Sequence, residues 1–139
     1  MTVTTGTIEK KTAGFNDIHD ITVDVSDLVK ESGLGSGTAT VFVTGSTGGV
    51  TTLEFEPGLV QDIPEALEKV APMGNTYHHD ATWGDGNGFS HVRAALVGPS
   101  LTVPFREGKL MLGTWQQIVL LDFDNKARRR SVVVQIMGE

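Results

Sequence analysis

The chain is dominated by short stretches in which apolar and polar residues alternate, or in which β-branched residues cluster between polar breaks. Alternation with a period of two is typical of strands that bury one face. Turn-forming triplets, 106–108 (Arg-Glu-Gly) and 124–126 (Asp-Asn-Lys), separate the later stretches. The pattern predicts strands over residues 4–9, 15–23, 38–43, 50–55, 91–97, 101–105, 109–112, 116–123 and 130–136.

Two segments instead have the spacing of an amphipathic helix. The first lies around residues 25–29, with Gly33 just past its end as a typical C-terminal stop. The second begins at residues 62–65 (Asp-Ile-Pro-Glu), which supply a cap, a first-turn proline and a capping-box glutamate. Pro72 closes it, and residues 58–61 offer an alternative, earlier first turn.

Eight or nine strands with two helices predict an α+β, mainly β fold, built as a sandwich of packed, largely antiparallel sheets. No repeat, linker or low-complexity tract divides the chain, so we expect one domain over residues 1–139. Residues 72–90 fit neither pattern. Unassigned segments of this length in a compact domain are usually functional or disordered, and the aromatic residues and histidines here favour function.

Composition narrows the classes of function. The 139 residues are 39% hydrophobic, enough for a core, and contain no cysteine, which excludes disulfides, thiolate ligands and cysteine nucleophiles. The net charge of −6 argues against nucleic acid as a partner. Neither a signal peptide nor an apolar run of roughly 20 residues is visible, so we expect a cytoplasmic protein with no membrane partner.

Three of the four histidines lie in residues 75–93. His78 and His79 are adjacent, so in an extended chain they point in opposite directions and only one faces a given site. His79 and His91 are separated by a glycine-rich loop that can fold back, and His91 is predicted to open a strand. His19 stands alone and is interpreted as structural.

Carboxylates accompany this histidine pair. Asp80 and Asp85 lie in the same segment as His79 and His91. Imidazole nitrogens with carboxylate oxygens suit zinc, manganese, iron or nickel in a site with an open position. The same groups without a metal can act as general acid and base. A third interpretation is a polar surface loop, and the spacing leaves all three open.

Three further segments contain candidate ligand-binding residues. Residues 44–49 (Thr-Gly-Ser-Thr-Gly-Gly) join two predicted strands, as either an anion-binding backbone nest or a flexible hairpin loop. Residues 113–117 interrupt a β segment. Their tryptophan can pack in the core or at an interface, and Gln116 can hydrogen-bond to a ligand. Strand alternation places Arg128 and Arg130 on one face. They are either solvated residues at the start of the strand or contacts for a phosphate or a carboxylate.

Several motifs together resemble one family. They are Tyr77 followed by His79-Asp80, then 90–93 (Ser-His-Val-Arg), 96–101 (Leu-Val-Gly-Pro-Ser-Leu), 108–110 (Gly-Lys-Leu), 112–116 (Leu-Gly-Thr-Trp-Gln), and the closing Arg128-Arg129-Arg130 and Gly138. Over nearly the whole chain the sequence is similar to the YjbQ family, also called the secondary thiamine-phosphate synthase family.

The resemblance implies packed sheets with two helices, assembled as a homotrimer, and sites near subunit boundaries lined by family histidines. His79 and His91 match two of these histidines. The third, in a Gln-His-Thr-Ser-type loop, is absent, and Gly45 stands there in a Gly-Ser-Thr loop. The chain is thus similar to a subgroup that also has a Trp-Gly-Asp-Gly-Asn insertion at residues 83–87.

The resemblance further implies thiamine-phosphate synthase activity, weak or substitute, joining a hydroxymethylpyrimidine diphosphate to a thiazole phosphate. The catalytic candidates are His79, His91, Asp80 and Glu54. The candidates for binding a small phosphorylated ligand are Ser46, Thr47, Arg93, Thr114, Trp115, Gln116, Arg128 and Arg130. The candidate metal ligands are His79, His91 and Asp85, for zinc, or for magnesium with a diphosphate substrate. The alternative is a non-enzymatic trimer that binds a metal or small ligand.

Overall fold

A computed structural model describes all residues, 1–139, as eight strands and four helices. The strands are β1 (Thr2–Thr12), β2 (Asp17–Asp20), β3 (Ser36–Val43), β4 (Gly48–Leu53), β5 (Ser100–Arg106), β6 (Lys109–Leu110), β7 (Gln117–Asp122) and β8 (Arg128–Gly138). The helices are α1 (Thr22–Ser32), α2 (Pro57–Val70), α3 (His78–Trp83) and α4 (Gly88–Val97).

The strands form two antiparallel sheets. The larger has the order β1-β8-β3-β5-β6, and the smaller has the order β2-β7-β4. Every strand pair within them is antiparallel. Strand β8 pairs with β1 on one side and with β3 on the other. This architecture confirms the predicted α+β, mainly β class of packed antiparallel sheets.

The main core lies between the two sheets. Along β8 the buried residues alternate, which directs Val132, Val134 and Ile136 toward the smaller sheet. From the smaller sheet, Ile118 and Leu120 of β7 join the same cluster, and α1 adds valines that are completely buried. Alternation in β8 therefore reflects one buried and one open face.

A second core lies on the other face of β7. There Val119 and Leu121 pack with Ala94 of α4, and partly buried residues of α2 cover them. Because β7 is buried on both faces, its sequence is a continuous apolar run rather than an alternating one. The small sheet is thus a middle layer, with α2 and α4 outside it.

Helix α1 ends at Ser32, and Gly33 follows it as the predicted C-cap. The φ of Gly33 is 71°, the left-handed conformation that is common at this position. Helix α2 begins earlier than the predicted cap at residue 62. Its first residue is Pro57, and the Glu56 carboxylate accepts hydrogen bonds from the backbone of residues 58 and 59. Pro64 therefore lies inside the helix, and the alternative, earlier first turn is the correct one.

One prediction between residues 72 and 97 was wrong. The segment left unassigned contains α3, and the strand predicted over 91–97 is α4. The buried residues of α4 are Gly88, Phe89, Ser90, Arg93 and Ala94, and the spacing of three to four between Phe89 or Ser90 and Arg93 or Ala94 fits a helix and not a strand. Two more helices are thus present than the sequence pattern predicted.

No helix combines the length and apolar character needed to cross a lipid bilayer.

Candidate functional site

A polar cavity of about 450 Å³ opens at one end of the sheets. Four parts of the chain form it: the β3–β4 loop, α3 with the turn after it, the start of α4, and the start of β8. Its lining residues are Gly45, Ser46, Thr47, His79, Trp83, Asp85, Asn87, His91, Arg128 and Arg130. We call this cavity the polar pocket.

Two ion pairs form the floor of the polar pocket. Arg130 donates from Nε and Nη2 to the two carboxylate oxygens of Asp122, at 2.7 and 2.8 Å. Arg128 donates from Nε to Oδ2 of Asp124 at 2.9 Å, and its Nη2 lies 2.8 Å from the same oxygen. Both aspartates are completely buried, so the two guanidinium groups are held in fixed positions.

Further hydrogen bonds saturate these two aspartates. Asp122 also accepts from the Thr12 hydroxyl and from the backbone N–H of Asp124. Asp124 accepts from the Thr47 hydroxyl at 3.0 Å and from the Asn87 amide at 3.3 Å. Burial by itself raises the pKa of each aspartate, but the arginines and these donors outweigh it and hold each pKa below its usual range.

Both the backbone conformation at position 45 and the neighbouring Arg130 side chain favour glycine there. The φ of Gly45 is 135°, which is disfavoured for residues with a side chain, and a Cβ at this position would lie 2.7 Å from Nη1 of Arg130. The guanidinium therefore occupies the space into which a side chain at 45 would extend. The absence of a histidine in this loop is coupled to the position of Arg130.

Helix α3 places His79 at the pocket wall. The Nδ1 atom of His79 is buried and has no hydrogen-bond partner. It lies 3.7 Å from Oδ1 of Asp80 and 3.7 Å from Oδ1 of Asp85. Single ligand atoms from these three side chains lie within 4.8 Å of one another.

Helix α4 brings His91 against His79. The centroids of the two imidazole rings are 4.1 Å apart, and the ring planes are tilted by 38°. Burial lowers the pKa of His91, and the neighbouring His79 lowers it further. The lowered pKa favours the neutral imidazole of His91, which is the form that binds a metal or acts as a base.

Asn87 connects the two helices to the floor. Its amide nitrogen donates to Asp124, which fixes the orientation of the amide and directs Oδ1 elsewhere. Oδ1 is buried and has no partner, and the side chain is 4% exposed. The next residue, Gly88, donates its N–H to Oδ1 of Asp80 at 2.9 Å. The turn between α3 and α4 is thus built around the polar pocket.

The structure brings most of the predicted site residues together. The glycine turn folds His79 back onto His91, although both histidines are on helices and neither is on an extended segment. The predicted residues that line the polar pocket are Ser46, Thr47, His79, Asp85, His91, Arg128 and Arg130. Asp80 lies directly behind them, beside His79.

Arg93 lies outside the polar pocket. Its guanidinium is completely buried and donates to the Ala71 carbonyl, to Asn16 and to Glu68, at 3.0, 2.9 and 2.6 Å. It also lies over the Phe89 ring, 5.1 Å from the centroid. These contacts tie α4 to the end of α2, so Arg93 supports the helix that bears His91.

Four other candidates also lie away from the polar pocket. Glu54 is exposed in the segment between β4 and α2. Thr114 and Trp115 form an exposed turn before β7, and the indole is 72% exposed. Gln116 donates to the Thr52 hydroxyl and lines a separate cavity.

Sequence reasoning missed Trp83 and Asn87 as lining residues. Both belong to the Trp-Gly-Asp-Gly-Asn segment between His79 and His91. A tryptophan and an asparagine on either side of Asp85 were the sequence signal for these two lining residues. His19 contacts Asp17 at 2.8 Å, outside the pocket.

These features define an α+β protein of two packed antiparallel sheets with a histidine–carboxylate pocket. A family model described as UPF0047 protein YjbQ-like matches residues 6–139. The chain belongs to this YjbQ/UPF0047 family, as its motifs indicated.

Its relatives match it over nearly their whole length. A UPF0047 protein of Archaeoglobus fulgidus is 41% identical over 123 residues, 88% of this chain and 94% of the relative. One of Methanothermobacter thermautotrophicus is 37% identical over 139 residues, all of this chain and 95% of the relative. The crystal structure of a YbjQ-like protein of unknown function from Sulfolobus solfataricus P2 superposes with a TM-score of 0.94 at 33% identity, covering 99% of each chain.

The pocket floor makes stability depend on pH. The pKa of Asp122 is lowered on folding, so its contribution to stability is present above the unfolded pKa and is lost as the pH falls. We predict that Asp122→Asn lowers the free energy of unfolding at pH 7 by about 3 kcal/mol, because Arg130 is left buried without its partner.

Denaturant titrations from pH 7 to pH 3 check this, with exposed Asp62→Asn of α2 as the control. The wild-type protein and the control lose stability steeply as the pH falls toward 3, whereas Asp122→Asn loses less. Parallel curves for all three proteins would contradict the assigned role of Asp122.

Proposed function

We propose that the polar pocket binds a divalent cation together with a small phosphorylated molecule, and that it catalyses a transfer of the thiamine-phosphate synthase type. The observation that carries the proposal is the buried Nδ1 of His79, which has no hydrogen-bond partner and lies between two carboxylates. A buried polar atom without a partner is costly, and a cation bound at this atom would supply the partner.

Charge in the pocket favours a cation. Arg130 and Arg128 are each neutralised by a buried aspartate. The carboxylates of Asp80 and Asp85 have no such cationic partner, apart from the nearby His79 ring. An anionic ligand that entered without a cation would meet this uncompensated negative charge.

The donor set fits a divalent metal such as zinc. The 3.7 Å from Nδ1 to each carboxylate oxygen is too long for a hydrogen bond, and it is close to the roughly 3.4 Å between two ligands of tetrahedral zinc. His79 and Asp85 are the proposed ligands, with Asp80 beside them. His91, which stacks on His79 and has a lowered pKa, is the additional candidate from the same wall.

Phosphate binding is supported by the unused arginine donors. Each guanidinium contacts its aspartate through Nε and Nη2. Nη1 of Arg130 lies beside Gly45, at the wall of the polar pocket. The Ser46 hydroxyl is exposed on the same loop. We therefore assign the phosphate groups to the side formed by Arg128, Arg130 and Ser46.

The proposed transfer needs few proton movements. The bond between the pyrimidine methylene carbon and the diphosphate oxygen breaks, and the diphosphate leaves with the electron pair. The lone pair of the thiazole nitrogen forms the new carbon–nitrogen bond and gives a thiazolium product. Arg128 and Arg130 hold the leaving diphosphate, and the cation, when bound, offsets the negative charge that collects on it.

An aromatic wall for a flat ring is supplied by Trp83, and not by Trp115. Trp83 lines the polar pocket and is 73% exposed. Exposed indoles stack well on heteroaromatic rings. Glu54 and Gln116 have no part in this proposal because neither lines the pocket.

We also propose assembly as a homotrimer, which the family resemblance implies. Large apolar side chains are exposed on the single chain, among them Trp115 at 72% and Met111 at 53%. Exposed apolar surface of this kind is common at interfaces. Light scattering checks the proposal, because one chain has a mass of 14.9 kDa, and a particle of that mass would contradict the trimer.

The cation site predicts a contrast between two adjacent histidines. Calorimetric titration of metal-free protein with Zn²⁺ should give about one ion per chain, and His79→Ala should weaken binding at least ~10-fold, because a ligand is lost. His78→Ala is the matched control, since His78 is exposed on the same helix and does not line the pocket. Equal Zn²⁺ affinity of His79→Ala and wild-type protein would overturn the cation site.

The transfer is tested separately. Wild-type protein, supplied with the pyrimidine diphosphate, the thiazole phosphate and either Zn²⁺ or Mg²⁺, should form thiamine phosphate above the uncatalysed background. His79→Ala should return to background, and His78→Ala should retain the wild-type rate. Zn²⁺ binding without any turnover would reject the transfer and support the non-enzymatic alternative.

A further inference from the structure

A second, smaller cavity adjoins the polar pocket. It holds about 290 Å³, and three of its lining residues, Gly45, Ser46 and His91, also line the polar pocket. The remaining lining residues are Gly48, Ala94, Ala95 and Pro99. We call it the side cavity. The two cavities are therefore neighbouring chambers on either side of a shared wall.

The side cavity differs from the polar pocket in chemistry. Beyond the shared wall it contains no charged side chain, and glycine, alanine and proline form its surface. Ala94 and Ala95 are three and four residues after His91, so all three lie along one face of α4. Small residues at these positions leave the space open that longer side chains would fill.

Its size suits a single ring. An apolar cavity of about 150 Å³ inside a protein accepts benzene. The side cavity is larger, at about 290 Å³, and it shares three lining residues with the polar pocket. No charged side chain lines the side cavity beyond the shared wall, so a charged group would have no counter-ion there.

We infer that the ligand is bipartite: its phosphate lies in the polar pocket, and its uncharged, ring-sized organic group lies in the side cavity against Ala94, Ala95 and Pro99. This inference rests on the proposed phosphate binding and names the class of ligand, an organic phosphate ester with a compact apolar group. The imidazole of His91 lies at the boundary between the two parts.

Two probes and one substitution test it. Methyl phosphate reaches only the polar pocket, whereas benzyl phosphate also carries a ring for the side cavity. Affinities are measured by calorimetry with Zn²⁺ present. Ala95→Leu fills the side cavity from an exposed helical position, and Ala66→Leu makes the same change on the exposed surface of α2 as the matched control.

For the wild-type protein and Ala66→Leu, we expect benzyl phosphate to bind about tenfold more tightly than methyl phosphate, because the ring buries apolar surface. In Ala95→Leu this advantage should fall below about threefold, while methyl phosphate affinity stays within about twofold of wild type. An advantage retained in Ala95→Leu, or absent from the wild type, would overturn the inference alone. Failure of both phosphates to bind wild-type protein would overturn the proposed phosphate site as well.

Discussion

The buried ion pair between Arg130 and Asp122 is the contact on which the pocket depends. Arg130 is on β8 of the larger sheet and Asp122 is on β7 of the smaller one, so the pair joins the two sheets at their open end. Thr12 of β1 and Thr47 after β3 are hydrogen-bonded to the same pair. Removing one partner would leave an unpaired buried charge, which is far costlier than losing a surface salt bridge.

The same pair affects the charge of the polar pocket. Because Arg130 and Arg128 are neutralised by buried aspartates, the pocket is not strongly positive. Asp80 and Asp85 add negative charge beside His79, which is the reason for proposing a cation together with the phosphate. Arg130 also occupies the space next to Gly45. A side chain at position 45 would therefore clash with Arg130, and the carboxylates proposed to hold the cation are Asp80 of α3 and Asp85 in the turn after it.

Local patterns predicted the sheets well and the site in part. Alternation along β8 revealed both the buried face and the common side of Arg128 and Arg130, because strand geometry alone determines it. The nearness of His79 and His91 followed from the glycine turn, although the helices on either side were missed. Nothing local distinguishes Arg93 from Arg130, since each is surrounded by residues distant in sequence. For the same reason, the sequence did not indicate that Trp83 rather than Trp115 lines the polar pocket.

We propose above all that a divalent cation binds between His79 and Asp85. The most direct measurement is anomalous diffraction at the zinc edge from crystals of the protein soaked in Zn²⁺. We expect a strong peak within bonding distance, about 2.1 Å, of Nδ1 of His79 and of a carboxylate oxygen of Asp85. Peaks only at exposed positions such as His78, with none in the polar pocket, would contradict it.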